Sequence, residues 1–304
     1  MSGPPTPLEP APARLAGRRP LFLKREDVHE LGAFKWRGAL PVVSGYRADG
    51  ASTVVTASTG NHGAATAWAA DRLGLRAIVY APEGASGAKL ALLEELGADL
   101  RLVGADLDEA KDEGRRFAAA GALPFFEDGA ETGQYDGYGA IADEILDELE
   151  APPAAVVVPV GNGALLGGIG VRVCARSPET LRIGVAAREA PVMAESWEAG
   201  RVVTSTRCAT FADGLAVRVA IPLAVEVLGE VASRMLTVSE RAIAEAVAAY
   251  ADAGIRAEGA AGAALAALPQ LDDVEGPVVL VVTGRNIDDE VLGRARREPA
   301  SFGD

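Results

Sequence analysis

Lysine is scarce in this chain. Only Lys24, Lys35, Lys89 and Lys111 stand among its 29 basic residues, the rest being arginine, so a lysine kept inside the run GAFKWRGA asks for a chemical reason. A neutral ε-amino group can attack a carbonyl and form a Schiff base; a guanidinium stays charged and cannot. Lys35 is therefore the first candidate for covalent chemistry, although a merely solvated or salt-bridged lysine would look the same in isolation.

Two glycine-bearing loops add to it. TASTGNHG follows a β-branched run and opens an Ala-rich segment, so its backbone N–H groups and the coming helix N-terminus form an anion receptor suited to a carboxylate. Asn61 within it offers an amide to a phenolic oxygen. VPVGNGALLGG again follows an apolar strand and opens a helix, and Gly161 and Gly163 let backbone amides approach a phosphate. A dinucleotide fingerprint fits poorly, because the spacing is GxGxxxGG and no acid closes a second strand about 20 residues on. Thr283 ends the run PVVLVVTG and places a hydroxyl where strand C-termini of open α/β sheets face a ligand crevice. Each loop alone is also what an ordinary turn looks like.

The elements that must position these groups alternate. LFLKRED reads as a strand, and FKWRGALPVVSGY as a helix start broken near Pro41. Then come strand STVVTAS, a helix to about Leu73, strand RAIVYAP, helix SGAKLALLEELGA, strand DLRLVG, helix DLDEAKDEGRRFAAAG and strand LPFFED. A second series holds helix YGAIADEILDEL, strand AAVVVPV, a helix, strand RIGVAA, a long irregular stretch through FADGLAV, helices SERAIAEAVAAYADAG and AAGAALAALPQL, and the closing strand. Such alternation predicts an α/β protein with two open, twisted parallel sheets. The expected division is residues 1–42 plus 139–304 as a large domain and 43–138 as a small, mobile one.

Composition excludes several classes of partner. The 304 residues are 49% hydrophobic and carry a net charge of −14, enough for real cores and unfavourable for nucleic acid or anionic membrane. No apolar run reaches the roughly 20 residues that span a bilayer, and the lead MSGPPTPLEPAPARLAGRRP lacks a signal-peptide pattern. Cys174 and Cys208 are too few for a disulfide framework or thiolate metal site, which fits a cytoplasmic protein.

Taken in order, these runs resemble the fold-type II pyridoxal-5'-phosphate (PLP) enzymes of the threonine and serine dehydratase group, within the tryptophan synthase beta superfamily. LFLKRED with GAFKWRGA resembles the lysine motif, STGNHG the substrate-carboxylate loop, and VPVGNGALLGG the phosphate loop. TFADGLAV, AEGAAGAA and VVTGRN complete the likeness, which runs from about residue 21 to 288. The resemblance implies that Lys35 carries the cofactor as a Schiff base and acts as base at Cα, with Phe34 flanking the ring and Asn61 holding its O3'. Ser58, Thr59, Gly60 and His62 would surround the substrate carboxylate. Gly161, Asn162, Gly163, Ala164 and Leu165 would grip the phosphate, and Thr283 would meet the pyridine nitrogen, where a hydroxyl does not favour a protonated ring. The implied reaction removes the β-hydroxyl of threonine, serine or 3-hydroxyaspartate to give a 2-oxo acid and ammonia, in a homodimer with a small amino-acid substrate.

The sequence departs from the group's pattern in places. Ala164 replaces a glycine, and Arg285 stands where a small residue is usual, which predicts an acidic side chain or anion at the substrate. Arg188 and Ala194 occupy the positions of a divalent-cation site, so no metal is expected. Thr59, where a second acid/base hydroxyl sits in serine racemase, keeps racemisation open. YDGYGAIADEIL resembles diaminopropionate ammonia-lyase. Threonine-synthase-like replacement, a non-catalytic PLP or amino-acid binding protein and a Rossmann dehydrogenase stay open at this point as well. No effector domain is expected after the closing strand.

Overall fold

The computed structural model describes residues 3–304 apart from 86 and 206. Strands β1 (Leu8–Pro10) and β2 (Leu21–Arg25) flank the short helix α1 (Ala13–Ala16), and α2 (Trp36–Ala48) follows. Next come β3 (Thr53–Ala57), α3 (Asn61–Leu73), β4 (Arg76–Ala81), α4 (Gly87–Glu95), β5 (Asp99–Leu102), α5 (Leu107–Ala120) and α6 (Thr132–Glu148). The chain continues through β6 (Ala155–Pro159), α7 (Ala164–Arg176), β7 (Leu181–Ala187), α8 (Val192–Ala199), α9 (Pro222–Val231) and β8 (Arg234–Val238). It closes with α10 (Glu240–Asp252), α11 (Gly259–Ala266), β9 (Val278–Val282) and α12 (Asp289–Arg297).

Two compact units result, one of residues up to Gly3 with Lys35–Gly137 and the other of Pro4–Phe34 with Tyr138–Asp304. The first division therefore falls between Phe34 and Lys35, not at 42/43 as the sequence suggested. A break at 42/43 would cut α2, whose Trp36, Ala39, Val42 and Val43 are all buried. That burial also carries the helix through Pro41. A proline removes one backbone hydrogen bond, and apolar contacts on both sides of it hold the helix together.

In the smaller unit β3, β4 and β5 form a parallel sheet in that order. Alternation along β4 sends Ile78 and Tyr80 to one face, against Ala110 and Ala118 of α5, and Val79 to the other, against Ala64 and Leu93. LPFFED does not form a full strand. Phe125 makes a single parallel bridge to Val55, and the segment then turns to present Asp128. The expected helix start at Ser86 lies outside the described residues.

The larger unit has a six-stranded sheet, β1-β2-β9-β6-β7-β8, parallel except for β1 at the edge. Strands β6 and β9 are buried along their whole length, as a parallel sheet covered on both faces requires. Its core packs strand residues such as Leu23, Val157, Ile183 and Leu280 against Ile243, Val247 and Ala261 of α10 and α11. The stretch expected to be irregular contains α8, and α9 and β8 follow it. Strand β8 was illegible because RMLTV is half-exposed over four of its five residues, so it shows neither an apolar run nor a clean alternation.

Candidate active site

Lys35 sits immediately before α2, and its ε-amino group donates to Asp128 Oδ2 at 2.5 Å. The Asp128 carboxylate is held from its other side by Gln134 Nε2 at 2.9 Å. Gln134 is fixed in turn, because its Oε1 accepts the Gly129 backbone N–H at 2.7 Å. Burial pushes the Asp128 carboxyl upward, but the Lys35 charge, the His62 ring and the hydrogen bonds from Lys35 and Gln134 overcome it. The group is held well below the usual carboxylate range. The Lys35 charge thus favours the ionised form of Asp128.

His62 lies in the first turn of α3 with its side chain buried. Its Nε2 is 3.1 Å from Thr56 Oγ1 and 3.3 Å from the Phe126 carbonyl. That carbonyl can only accept, so the hydrogen belongs on Nε2. Nδ1 then faces Asp128 Oδ1 at 3.6 Å, and the ring packs edge-on to Phe126 with centroids 4.5 Å apart. Burial lowers its pKa and Lys35 adds to this, against the pull of Asp128, so the imidazole is neutral near pH 7. Its side chain serves this buried cluster, and only its backbone N–H remains in the turn that would receive a substrate carboxylate.

The rest of that turn is open. Ser58 N donates to the Tyr80 carbonyl at 3.1 Å, which anchors the loop to β4, and Ser58 Oγ accepts from Gly60 N at 3.2 Å. Ser58 and Thr59 are half-buried and Gly60 is exposed. Asn61 begins α3, and Gly60 precedes it as N-cap. The structure thus brings Lys35, His62 and the previously unnoticed Asp128 together in the smaller unit, with Ser58–Asn61 on the same β3–α3 connection as His62.

The larger unit holds the second set. The loop after β6 turns into α7 through Gly163, whose φ of +93° is a left-handed conformation that a side chain disfavours. Gly161 is required for a different reason. A Cβ there would overlap the carbonyl oxygen of Gly214, so the ADG segment is packed directly under the loop. Asn162 Oδ1 accepts from Ala164 N at 3.1 Å, and Ala164 and Leu165 open the helix, both buried. The helix start is a ready anion site made of backbone.

At the end of β9, Thr283 is 2% exposed and its Oγ1 donates to Glu258 Oε1 at 2.9 Å. The Thr283 carbonyl accepts the Phe34 N–H at 3.0 Å, and the Phe34 ring meets Tyr138 edge-on at 5.1 Å. Arg285 donates to the Asp27 carbonyl, and its backbone N–H reaches the Gly32 carbonyl at 2.8 Å. Its guanidinium ties the closing strand to the turn that precedes Lys35. Asp128 and Glu258 escaped the sequence reading. Asp128 sits in a segment that resembled a strand, and Glu258 lay inside the AEGAAGAA likeness without a role.

The family profile of the pyridoxal-phosphate dependent enzymes matches residues 1–284. The chain is 33% identical over 277 residues to the L-threonine ammonia-lyase of Thermotoga maritima, covering 90% of this chain and 69% of that one. It is 34% identical over 283 residues to the L-threonine ammonia-lyase of Geobacter sulfurreducens, covering 88% and 68%. The processed form of threonine deaminase isoform 2 from Solanum lycopersicum superposes with a TM-score of 0.91 at 30% identity, over 97% of this chain and 88% of that one. The chain belongs to the pyridoxal-phosphate dependent enzymes.

Pyridoxal 5'-phosphate is its cofactor, and the residues present fit that group. A phosphate suits the α7 N-terminus, where Asn162 Oδ1 takes the Ala164 N–H in the absence of an anion. An aldehyde suits the primary amine of Lys35, whose proton Asp128 Oδ2 is placed to receive at 2.5 Å. Among the described residues no cluster of three or more metal-binding side chains occurs.

Proposed function

We propose that this chain is an ammonia-lyase that eliminates the β-hydroxyl of a small hydroxy amino acid, threonine, serine or 3-hydroxyaspartate, to give a 2-oxo acid and ammonia. The observation that carries the reading is the Lys35–Asp128 pair at 2.5 Å, in a chain whose relatives are threonine ammonia-lyases.

When bound, the cofactor supplies an electron sink for the Cα–H bond. Lys35 would hold it through the ε-amino group and would be the base that takes the Cα proton. Asp128 would hold that amine in place through its 2.5 Å contact. The loop Gly161, Asn162, Gly163, Ala164 and Leu165 would hold the phosphate, with the Ala164 N–H first released from Asn162 Oδ1, Asn61 would hold the phenolic oxygen, and Phe34 and Thr283 would border the ring. Ser58, Thr59, Gly60 and the backbone of His62 bind the substrate carboxylate at the α3 N-terminus, where the helix dipole favours an anion.

The same likeness supports a homodimer. The free thiols of Cys174 and Cys208 suit a reducing cytoplasm, and the net charge of −14 disfavours nucleic acid. No described helix is long and apolar enough to cross a membrane. Light scattering checks the assembly, which is expected at about twice the 31.2 kDa chain mass.

The test is a panel of amino acids incubated with the PLP-loaded protein while 2-oxo acid and ammonia are both measured. Equal release of the two from a hydroxy amino acid is expected. Inversion of the substrate without ammonia would make the protein a racemase, and turnover confined to a phosphorylated substrate would make it a replacement enzyme.

A further inference from the structure

Glu240 opens α10 at 4% exposure, and its two carboxyl oxygens are used unequally. Oε2 accepts the Phe211 backbone N–H at 2.9 Å and the Thr210 hydroxyl at 3.0 Å, while Oε1 is buried with no hydrogen-bond partner among the described residues. A buried oxygen left without a donor is costly. The helix does not require it, because Ser239 Oγ already caps α10 by accepting from Ala242 N at 3.2 Å. What the carboxyl orders is the strip before Gly214. Thr210 Oγ1 extends the contact by accepting from Ala212 N at 3.1 Å, so one oxygen of Glu240 fixes three consecutive residues. The strip is wedged between two glycines. The Gly214 carbonyl oxygen fills the place of a Cβ on Gly161, and Ala212 fills that of a Cβ on Gly259 at the start of α11.

We propose that Glu240 is a positioning residue for the cofactor's phosphate: it fixes the 210–214 strip, and the strip supports the Gly161 end of the phosphate loop. This rests on the reading above that places the phosphate at residues 161–165. The device needs an acceptor and no particular charge. Burial and the neighbouring Glu189 raise the pKa of Glu240, yet Oε2 accepts from both donors whether the group is a carboxylate or an acid with its proton on Oε1. Without that acceptor the Phe211 N–H and the Thr210 hydroxyl must turn elsewhere. The Gly214 carbonyl then shifts against Gly161, and the loop loses the backing that sets its shape.

The experiment titrates the full chain with PLP and with pyridoxal, which lacks the phosphate, in the wild type, Glu240→Ala, Glu240→Gln and Thr210→Val, and records the ³¹P chemical shift of bound PLP. Glu240→Ala is expected to weaken PLP binding at least about tenfold, to leave pyridoxal binding nearly unchanged and to move the ³¹P signal. Glu240→Gln keeps an oxygen that accepts both donors and is expected to stay within about twofold of the wild type for both ligands. A folded Glu240→Ala protein with unchanged PLP affinity overturns the proposal, and so does an equal loss for PLP and pyridoxal, which a purely structural role would give. A Gln variant as weak as the Ala variant overturns it too, because charge would then be the property that matters. If Glu240→Ala does not fold, Thr210→Val decides: a loss for PLP alone supports the proposal, and any other result overturns it. Failure of the underlying reading has a different signature. A wild-type preference for PLP over pyridoxal that is absent, or that Gly161→Ala leaves unchanged, removes the phosphate from the loop and the proposal with it.

Discussion

The candidate residues of the smaller unit are charged side chains, whereas those of the larger unit are a backbone loop and the Thr283 hydroxyl with its partner Glu258. Around Lys35 the side chains that meet it are tied to one another: Asp128 holds the lysine, Gln134 holds Asp128, and His62 faces Asp128 from a buried position. Around Gly161 the ingredients are small residues, a helix start and the Gly214 carbonyl in direct contact. Charged clusters fail when a partner is removed, because the survivor is left buried and unpaired. Backbone cradles fail when something is added, because their function is the space they leave.

The sharpest way to break that contrast is Lys35→Ala, which removes the nucleophile itself. Loss of at least about 10³-fold in turnover is expected, measured as 2-oxo acid release, with the fold retained by circular dichroism. Asp128→Asn comes next. It keeps the shape and deletes the charge, and a fall on the order of 10²-fold in kcat is expected, larger than its effect on KM. A drop confined to KM would mean that Asp128 meets the substrate and does not steady the amine.

In the larger unit Gly161→Ala adds a methyl group where the Gly214 carbonyl stands. Destabilisation of about 1–3 kcal/mol in urea unfolding is expected, together with weaker PLP binding; an unchanged PLP affinity would separate the loop from the phosphate.

Acidification sharpens the comparison by a smaller amount. The buried His62 has a pKa below its ordinary 6.5, so between the two values the unfolded chain binds a proton that the folded chain does not. Its contribution is complete above about pH 6.5 and is lost as pH falls through the folded value, with a slope of at most about 1.4 kcal/mol per pH unit. Asp128 is also depressed, from 3.8, and its contribution is lost only at lower pH. Denaturant titrations from pH 7 to 5 should show the first slope, and His62→Gln should flatten it.

The smallest effect is expected from Arg285→Gly. Because the guanidinium donates to the Asp27 carbonyl, stability should drop by about 0.5–1.5 kcal/mol while the preference between threonine and 3-hydroxyaspartate moves less than about twofold. A larger change in preference would return Arg285 to substrate recognition.

Both parallel sheets were legible in the sequence because buried strands such as AVVVP and VVLVV are continuous apolar runs between glycine turns. Lys35 was legible through scarcity, and Gly161 and Gly163 through their place between strand and helix. Asp128 was not, since its role depends on a turn after Phe126 and on Gln134, neither of which has a local pattern. Glu258 was hidden for the same reason: its partner Thr283 lies 25 residues away, and only the sheet brings them together. Pro41 misled in the opposite direction, where buried contacts along α2 outweighed a local breaker.

The role of Lys35 is tested most directly by borohydride reduction of the PLP-loaded protein followed by peptide mapping. A phosphopyridoxyl group on the peptide containing Lys35, and on none containing Lys24, Lys89 or Lys111, is the predicted result. Label on any of those three lysines, or no label at all, would contradict it.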